Sequence, residues 1–331
     1  MNTSSRPRIG VIMDPIQSIK IRKDSTFAML LEMQRRGWEL WYLLQGDLWV
    51  DDGVVYASRR PLQVEDNPQH WFTLGEPQIG PLQALDGVLM RKDPPFDMEY
   101  IYSTYLLELA QQQGLLVVNR PDSVRSANEK LFTAWFPQWC PETRVTRDME
   151  RLRDFLARHR HIVVKPLDGM GGTMIFQIHA GDANTNVILE TITDHGRRTV
   201  MAQRFLPEYQ QGDKRILLIN GEPFPYALAR IPKAGEGRAN LAAGGTGVGV
   251  ALTAREKAIC AAIGPVLKAM GLMFVGLDVI GDWVTEINVT SPTGIRELEH
   301  QYQANIAGLL MDAIETELAK RSSHSAEGGT P

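Results

Sequence analysis

Two distant stretches of the chain carry residue types that could do chemistry together. The first is Val163-Val164-Lys165-Pro166-Leu167-Asp168-Gly169-Met170-Gly171-Gly172, a lysine at a strand end followed by a glycine-rich loop. Glycines let backbone N–H groups approach phosphate oxygens closely, and a lysine adds a positive charge. A P-loop carries its lysine after the glycines, so a Walker-type site is excluded. A dinucleotide fingerprint is missing too, because Gly10 stands alone after the first strand. Two readings stay open. One is a phosphate-directed lysine under a flap that keeps water from a labile intermediate. The other is a tight hairpin loop with a surface lysine.

The second stretch runs from Phe274 through Asp278 to Thr285-Glu286-Ile287-Asn288-Val289-Thr290. Glu286 and Asn288 are two apart on a strand and share a face, while Ile287 and Val289 face a core. With a two-residue turn at Gly281-Asp282, Ile280 would pair with Trp283, and Asp278 would face away from Glu286. A shared metal site therefore requires an odd connection, most simply a three-residue loop Gly281-Asp282-Trp283. Asp278 is then expected opposite Glu286. Such hard oxygen donors suit Mg²⁺, which takes one or two carboxylates plus substrate phosphates. The plainer alternative is a solvated polar face.

Arginines complete the set. Arg215 follows Asp213-Lys214, Arg230 ends a strand, and Arg238 with Asn240 lies in an Ala/Gly-rich loop. Arginine suits bidentate contacts to carboxylate or phosphate, although each residue taken singly reads as a surface charge. His159, His161, Cys140 and Cys260 show no metal or triad spacing.

The elements that must position these residues follow from hydrophobic period. Ile9–Met13, Glu39–Leu44, Asp86–Met90 and Leu115–Asn119 read as strands. A helix capped by Asp24 or Ser25 and another over Glu99–Gln113 lie between them, the pattern of a parallel α/β sheet. Ligands collect at strand carboxyl ends, here Asp14-Pro15, Arg91-Lys92-Asp93 and Asn119-Arg120. Asn128–Phe136 and Met149–His159 are expected helices. His161–Lys165 and Met174–Ile178 are strands flanking the glycine loop, followed by strands at Thr199–Phe205, Arg215–Ile219 and Tyr226–Arg230. Asn220-Gly221 is a hairpin signal. Lys233–Gly249 reads as a mobile loop, Ala254–Met270 and Ile306–Arg321 as helices, and Ser322–Pro331 as a disordered tail.

The chain has 331 residues, 44% hydrophobic and 22% charged, with net charge −4 and two cysteines. That composition fits a globular protein of more than one domain. It offers no concentrated basic surface for nucleic acid. It has no apolar run long enough to span a membrane and no signal peptide. A reducing compartment is expected, by default the cytoplasm.

The order of these elements resembles the ATP-grasp superfamily, and more specifically the bacterial glutathione synthetase family, from about Arg8 to Lys320. The runs that carry the resemblance are Ile12-Met13-Asp14-Pro15, Lys23-Asp24-Ser25, Met90-Arg91-Lys92-Asp93-Pro94-Pro95-Phe96-Asp97, Asn128-Glu129-Lys130-Leu131-Phe132-Thr133-Ala134-Trp135, Lys165–Gly172, Asn240–Gly245 and Thr285–Pro292. The resemblance implies an N-terminal parallel α/β (pre-ATP-grasp) domain over 1–125. A two-subdomain ATP-grasp fold with antiparallel sheets follows, a lid at 126–205 and a catalytic part at 206–320, with a tail at 321–331. It implies ligation of γ-glutamylcysteine to glycine through an acyl phosphate, with ATP and two Mg²⁺ (Mn²⁺ as a substitute), in a cytoplasmic homotetramer.

By the same resemblance Lys130, Lys165 and the loop Asp168, Gly169, Met170, Gly171 and Gly172 meet ATP phosphates. Gln203, Arg204, Phe205 and Leu206 meet the adenine. Asp278, Glu286 and Asn288 hold the metal. Arg215, Arg230, Arg238 and Asn240 line the reacting groups. Lys23, Asp24, Ser25, Arg91, Lys92 and Ser291 face the dipeptide. Ala239 stands where the family pattern suggests a glycine. The rival readings are another ATP-grasp carboxylate-amine ligase and a non-catalytic ATP-binding module of the synapsin kind. The run Arg91–Asp97 argues against the first, and the intact Asp278, Glu286, Asn288 and arginine set against the second.

Overall fold

The computed structural model describes residues 6–169, 173–231 and 246–327. Met170, Gly171, Gly172, Arg238, Ala239 and Asn240 lie outside the described residues.

Four parallel strands form the centre of the first sheet: Arg8–Ile12, Glu39–Leu43, Gly87–Met90 and Leu116–Val118. Arg8–Ile12 lies between Glu39–Leu43 and Gly87–Met90, so successive connections leave it in opposite directions. That is a topological switch point, where open α/β sheets collect ligands. The loops that leave there are tied together. The Asp93 amide donates to Asp14 Oδ2 at 2.9 Å, and Lys92 Nζ meets Asp14 Oδ1 at 2.8 Å. Asp24 is the cap of the helix Ser25–Arg35, its carboxylate accepting the Phe27 amide at 2.7 Å. Ser25 is buried, and its hydroxyl accepts the amides of Gly294 and Ile295, each at 3.1 Å.

The sheet is mixed rather than wholly parallel. Antiparallel strands Leu48–Asp51, Val54–Val64, Phe72–Leu74 and Gln78–Pro81 extend it from the Glu39–Leu43 edge. No element was expected in that stretch.

The second sheet is antiparallel, ordered Phe176–His179, His161–Pro166, Val200–Arg204, Thr143–Thr146. The helices Met149–His159 and Thr185–Ile192 close over it, and it has a hydrophobic cluster of its own around Phe155, Ile162, Val164, Leu189 and Val200. The third sheet is ordered Thr246–Ala251, Tyr226–Ile231, Asp213–Ile219, Phe274–Ile280, Trp283–Asn288. The Asn220-Gly221 turn has φ +51° and +86°, as a type I′ hairpin needs. The strand Thr246–Ala251 corrects the loop expected over its first four residues. Gly249 belongs in that strand because a Cβ there would lie 2.3 Å from the Tyr302 ring, so packing rather than loop freedom selects glycine. The last helix, Ile306–Glu327, runs past the expected end at Arg321.

One side chain joins the first and third sheets. Buried Asn119, just after Leu116–Val118, donates Nδ2 to the carbonyls of Phe274 (2.7 Å) and Val289 (2.8 Å) and accepts the Phe274 amide at 2.8 Å. It takes up strand-end groups that no neighbouring backbone reaches. Asn119→Ala strands them in the interior. Denaturant unfolding should show a loss of about 3 kcal/mol, the cost of buried polar groups without partners.

Candidate active site

The strands Phe274–Ile280 and Trp283–Asn288 form the hairpin that carries the carboxylates. Asp278 lies opposite Glu286, as the shared site requires, but the odd residue is not in the turn. Ile280 pairs with Trp283 across a two-residue turn, Gly281-Asp282, with Gly281 at φ +57°. The register shifts between Asp278 and Val279, so Thr285 is the unpaired residue of a β-bulge. The bulge corrects the three-residue loop while keeping its consequence. It also exposes a carbonyl: Thr285 O accepts from Lys165 Nζ at 3.2 Å.

Each carboxylate meets two cations. Lys165 Nζ lies 3.4 Å from Glu286 Oε1, and Lys130 Nζ lies 3.8 Å from the same oxygen. Arg215 grips Asp278 with both Nε and Nη2, the latter at 2.8 Å, and Arg230 Nη2 reaches Asp278 Oδ2 at 2.8 Å. Arg230 also bonds Asp213. Lys130, Lys165, Arg215, Arg230 and Asp278 are all buried.

Burial pushes the Asp278 carboxyl up, but Arg215 and Arg230 together outweigh it and hold it well below the usual range. Asp213, with only a share of Arg230, is raised by burial to about 6. Two carboxylates on one guanidinium are thus driven apart, a pattern common at reactive sites. Burial would lower Lys130, but Glu286 and Glu129 more than compensate and raise it. Glu129 is itself raised by burial and by Glu286.

Lys130 is aimed by a local device. The helix expected over Asn128–Phe136 is a 3-10 turn, Leu131–Trp135. Asn128 Oδ1 accepts the amides of Lys130 (3.1 Å) and Leu131 (2.9 Å), which favours the tighter turn over an α-helix. Lys130 Nζ then donates to the Gly169 carbonyl at 2.6 Å, and Asn128 Nδ2 to the Leu167 carbonyl at 3.0 Å. The glycine loop is therefore held at its start by the Asn128–Lys130 segment. Asp168 is exposed there.

Gln203 is buried in Val200–Arg204 and donates to Thr143 Oγ1 at 3.2 Å. Arg204 pairs with Glu142, and Phe205 stacks on His161 with ring centroids 3.7 Å apart. The amides of Arg204 and Phe205 donate to the carbonyls of Glu142 and His161, and the strand itself ends at Arg204.

Asn288 donates its amide nitrogen to Gly276 O at 3.3 Å, so its side-chain oxygen is the atom left to act as a ligand. Asp278, Glu286 and Asn288 fit a hard divalent cation: two carboxylates and an amide oxygen on one face, lacking the all-protein cage that Mg²⁺ seldom uses. Among the described residues no group of three or more His, Cys, Asp or Glu is arranged to hold a metal.

Arg91 is buried, with 5% of its surface exposed, donating to Thr26 Oγ1 (3.1 Å) and the Pro292 carbonyl (2.9 Å) over the Phe274 ring. Ser291 donates to the Arg91 carbonyl at 3.1 Å. Lys23 is exposed. Glu129 and Asp213 were missed by sequence reasoning, which paired carboxylates only within the hairpin. Their adjacency to Lys130 and Arg215 along the chain was the available signal. An open cleft of about 760 Å³ lies elsewhere, lined by Gln34, Trp38, Pro61 and His70, and gathers no comparable set of paired charges.

Residues 8–125 match the family model of the prokaryotic glutathione synthetase N-terminal domain, and residues 129–303 that of the prokaryotic glutathione synthetase ATP-grasp domain. The glutathione synthetase of Shewanella oneidensis is 57% identical over 313 residues, covering 95% of this chain and 99% of that protein. That of Escherichia coli K12 is 55% identical over 314 residues, covering 95% and 99%. Among solved structures, D-cycloserine synthetase DcsG aligns with TM-score 0.64 at 16% identity, covering 94% of this chain and 99% of that one. The ATP-grasp ligase PsnB, with Mg and ADP, aligns at 0.62 and 18%, covering 94% and 98%.

The raised Asp213 makes a signed expectation. An acid raised by folding lends stability that is complete below its unfolded value, near 3.9, and is lost as pH rises through about 6. Thermal melts of wild type and Asp213→Asn should therefore diverge between pH 4 and 7, the wild type losing ground as pH rises. A pH-independent gap would mean that Arg230 keeps Asp213 ionised throughout.

Proposed function

The chain belongs to the prokaryotic glutathione synthetase family, and from that membership we infer how its charged cluster works. It catalyses the ATP-dependent ligation of γ-glutamylcysteine and glycine to glutathione, with release of ADP and phosphate. The ligases of other named function align at 16–18% identity, a likeness of fold alone, so the rival readings are not favoured.

The observation that carries the site proposal is the Asp278–Glu286 pair with two cations on each carboxylate. Lys130 and Lys165 are the ATP phosphate contacts, and Asp168 and Gly169 begin the glycine loop that Lys130 holds by its bond to the Gly169 carbonyl. The segment from Gln203 to Leu206 takes the adenine, with Phe205 fixed by its stack on His161. The family implies a divalent metal. Asp278, Glu286 and Asn288 would hold it, and the metal is Mg²⁺, replaceable by Mn²⁺; when bound it neutralises phosphate charge.

The cysteinyl carboxylate attacks the γ-phosphorus, and the bond to ADP breaks. The glycine amine then attacks the acyl carbon, and phosphate leaves. Both partners of the first step are anions, so Lys130, Lys165, Arg215 and Arg230 serve by holding positive charge where they meet, in a buried setting that strengthens it. Arg238 and Asn240 remain candidates for the same task. Arg91, Lys92, Lys23 and Ser291 gather the dipeptide at the switch point. Asp24 and Ser25 support it by capping the helix after Lys23 and fixing Gly294.

The division of labour follows the resemblance: residues 1–125 present the dipeptide, 126–205 form the lid and 206–320 the catalytic part. A homotetramer in the cytoplasm is carried by the resemblance alone. No helix among the described residues is long and apolar enough to cross a membrane.

Glu286→Gln keeps the shape of the side chain but removes one metal-binding charge and the partner of Lys165. Phosphate release with all three substrates should show kcat down by about 10²–10³. KM for γ-glutamylcysteine should stay within roughly twofold of wild type. Equal losses in kcat and in dipeptide binding would point to a structural role instead.

A further inference from the structure

One half-buried carboxylate, with one oxygen shut away from water, has no task in this scheme. Glu297 lies in the first turn of the helix Ile295–Tyr302. It interacts with its own backbone amide, but Oε2 is buried and accepts no hydrogen bond among the described residues. A glutamate in a first helical turn suits the helix dipole. A solvated carboxylate would do that equally well, so the dipole does not account for a buried, unpaired oxygen, which is unfavourable until a donor arrives.

Its surroundings say what donor. The charged groups that act on Glu297 are Lys23, Arg296 and Arg215. Arg296 is taken by Asp66 at 2.9 Å, and Arg215 by Asp278. Lys23 is exposed and makes no hydrogen bond to Oε2. The helix begins at Gly294, φ +122°, where Ser25 Oγ binds the first amides and Arg215 Nη1 approaches the Thr293 carbonyl at 3.5 Å. Glu297 thus sits where the Lys23 loop of the first sheet meets the arginine that holds Asp278.

The cations assigned to the dipeptide there, Lys23, Arg91 and Lys92, answer its carboxylates. The dipeptide also carries a primary ammonium on its γ-glutamyl end, which those cations repel. Asp24, the nearby acid, is occupied in capping. We propose that Glu297 Oε2 accepts a hydrogen bond from the α-ammonium of the γ-glutamyl group, which makes Glu297 a specificity-determining residue. The glycine amine is a poorer candidate, because it must reach the acyl carbon at the Asp278–Glu286 end. The proposal rests on the dipeptide lying against Lys23 and Arg91.

The test compares γ-glutamylcysteine with N-glutarylcysteine, which lacks only the amino group, on wild type and Glu297→Gln at saturating Mg-ATP and glycine. Wild type should favour the amino substrate in kcat/KM by about 10- to 100-fold, the worth of one hydrogen bond to a charged group. In Glu297→Gln that preference should fall to near unity, with KM for ATP and glycine unchanged. A preference retained in the variant, or a change confined to the KM for glycine, overturns the proposal. So does a wild type that treats both dipeptides alike, a result that needs no variant to fold. Arg91→Lys separates the two layers. If it raises KM for both dipeptides equally while Glu297→Gln changes nothing, the placement stands and the role of Glu297 falls. If Arg91→Lys leaves both unchanged, the placement itself is wrong.

Discussion

A carboxylate held between two arginines in the protein interior is the constraint on which the site depends. Asp278 is buried, with only 4% of its surface exposed, so its charge survives because Arg215 and Arg230 close on it from strands of the same sheet. Those strands, Asp213–Ile219 and Tyr226–Ile231, pair with each other, and the first pairs with Phe274–Ile280. Removing any member would leave an uncompensated buried charge, which is far costlier than the loss of a surface pair. The centre of the third sheet is thereby fixed in register, and the hairpin that presents Glu286 is fixed with it.

The second sheet is built differently. It has a separate hydrophobic cluster, and its polar links to the hairpin are few and long: Lys165 to the Thr285 carbonyl at 3.2 Å and to Glu286 at 3.4 Å. The first and third sheets instead share their two hydrophobic clusters and are joined by the three bonds of Asn119. A body with its own core and weak ties can move as a unit, whereas one that shares a core cannot. The rigid part carries the carboxylates and the Arg91 loop, and the separable part carries Lys165 and the glycine loop.

Much of this was legible from residue types and period. The parallel strands, the switch-point loops and the facing of Asp278 and Glu286 follow from hydrophobic alternation and from the need for two carboxylates on one face. The position of the odd residue did not follow. A bulge at Thr285 and a longer turn give the same parity, and residue alternation does not separate them. Lys130 was placed by resemblance, but its 3-10 turn depends on the Asn128 side chain bonding two amides, which competes with helix formation in a way that propensity does not register. The strand Thr246–Ala251 looked like a loop because Gly247 and Gly249 are turn residues by type. Gly249 is there to clear a ring more than fifty residues away in the chain. Glu129, Asp213 and Glu297 were invisible as a group, since their partly buried surroundings rather than sequence spacing give them meaning.

The charge balance of the cluster bears on the order of events. Glu286, with 20% of its side chain exposed, is already neutralised by Lys130 and Lys165, and both lysines are buried. On the roles proposed above, phosphate would draw those two lysines away and Glu286 would take a divalent cation in their place. Neither exchange is favourable alone beside two buried lysines. Lysines drawn off by phosphate would leave Glu286 unpaired, and a cation arriving first would face two ammonium groups. Nucleotide and metal arriving together keep the count balanced at every stage. Asp278 differs, because Arg215 and Arg230 occupy it from inside the sheet and a carboxylate oxygen has lone pairs for a further partner. It need not release either arginine, and so it serves as the fixed point around which the Glu286 partners change.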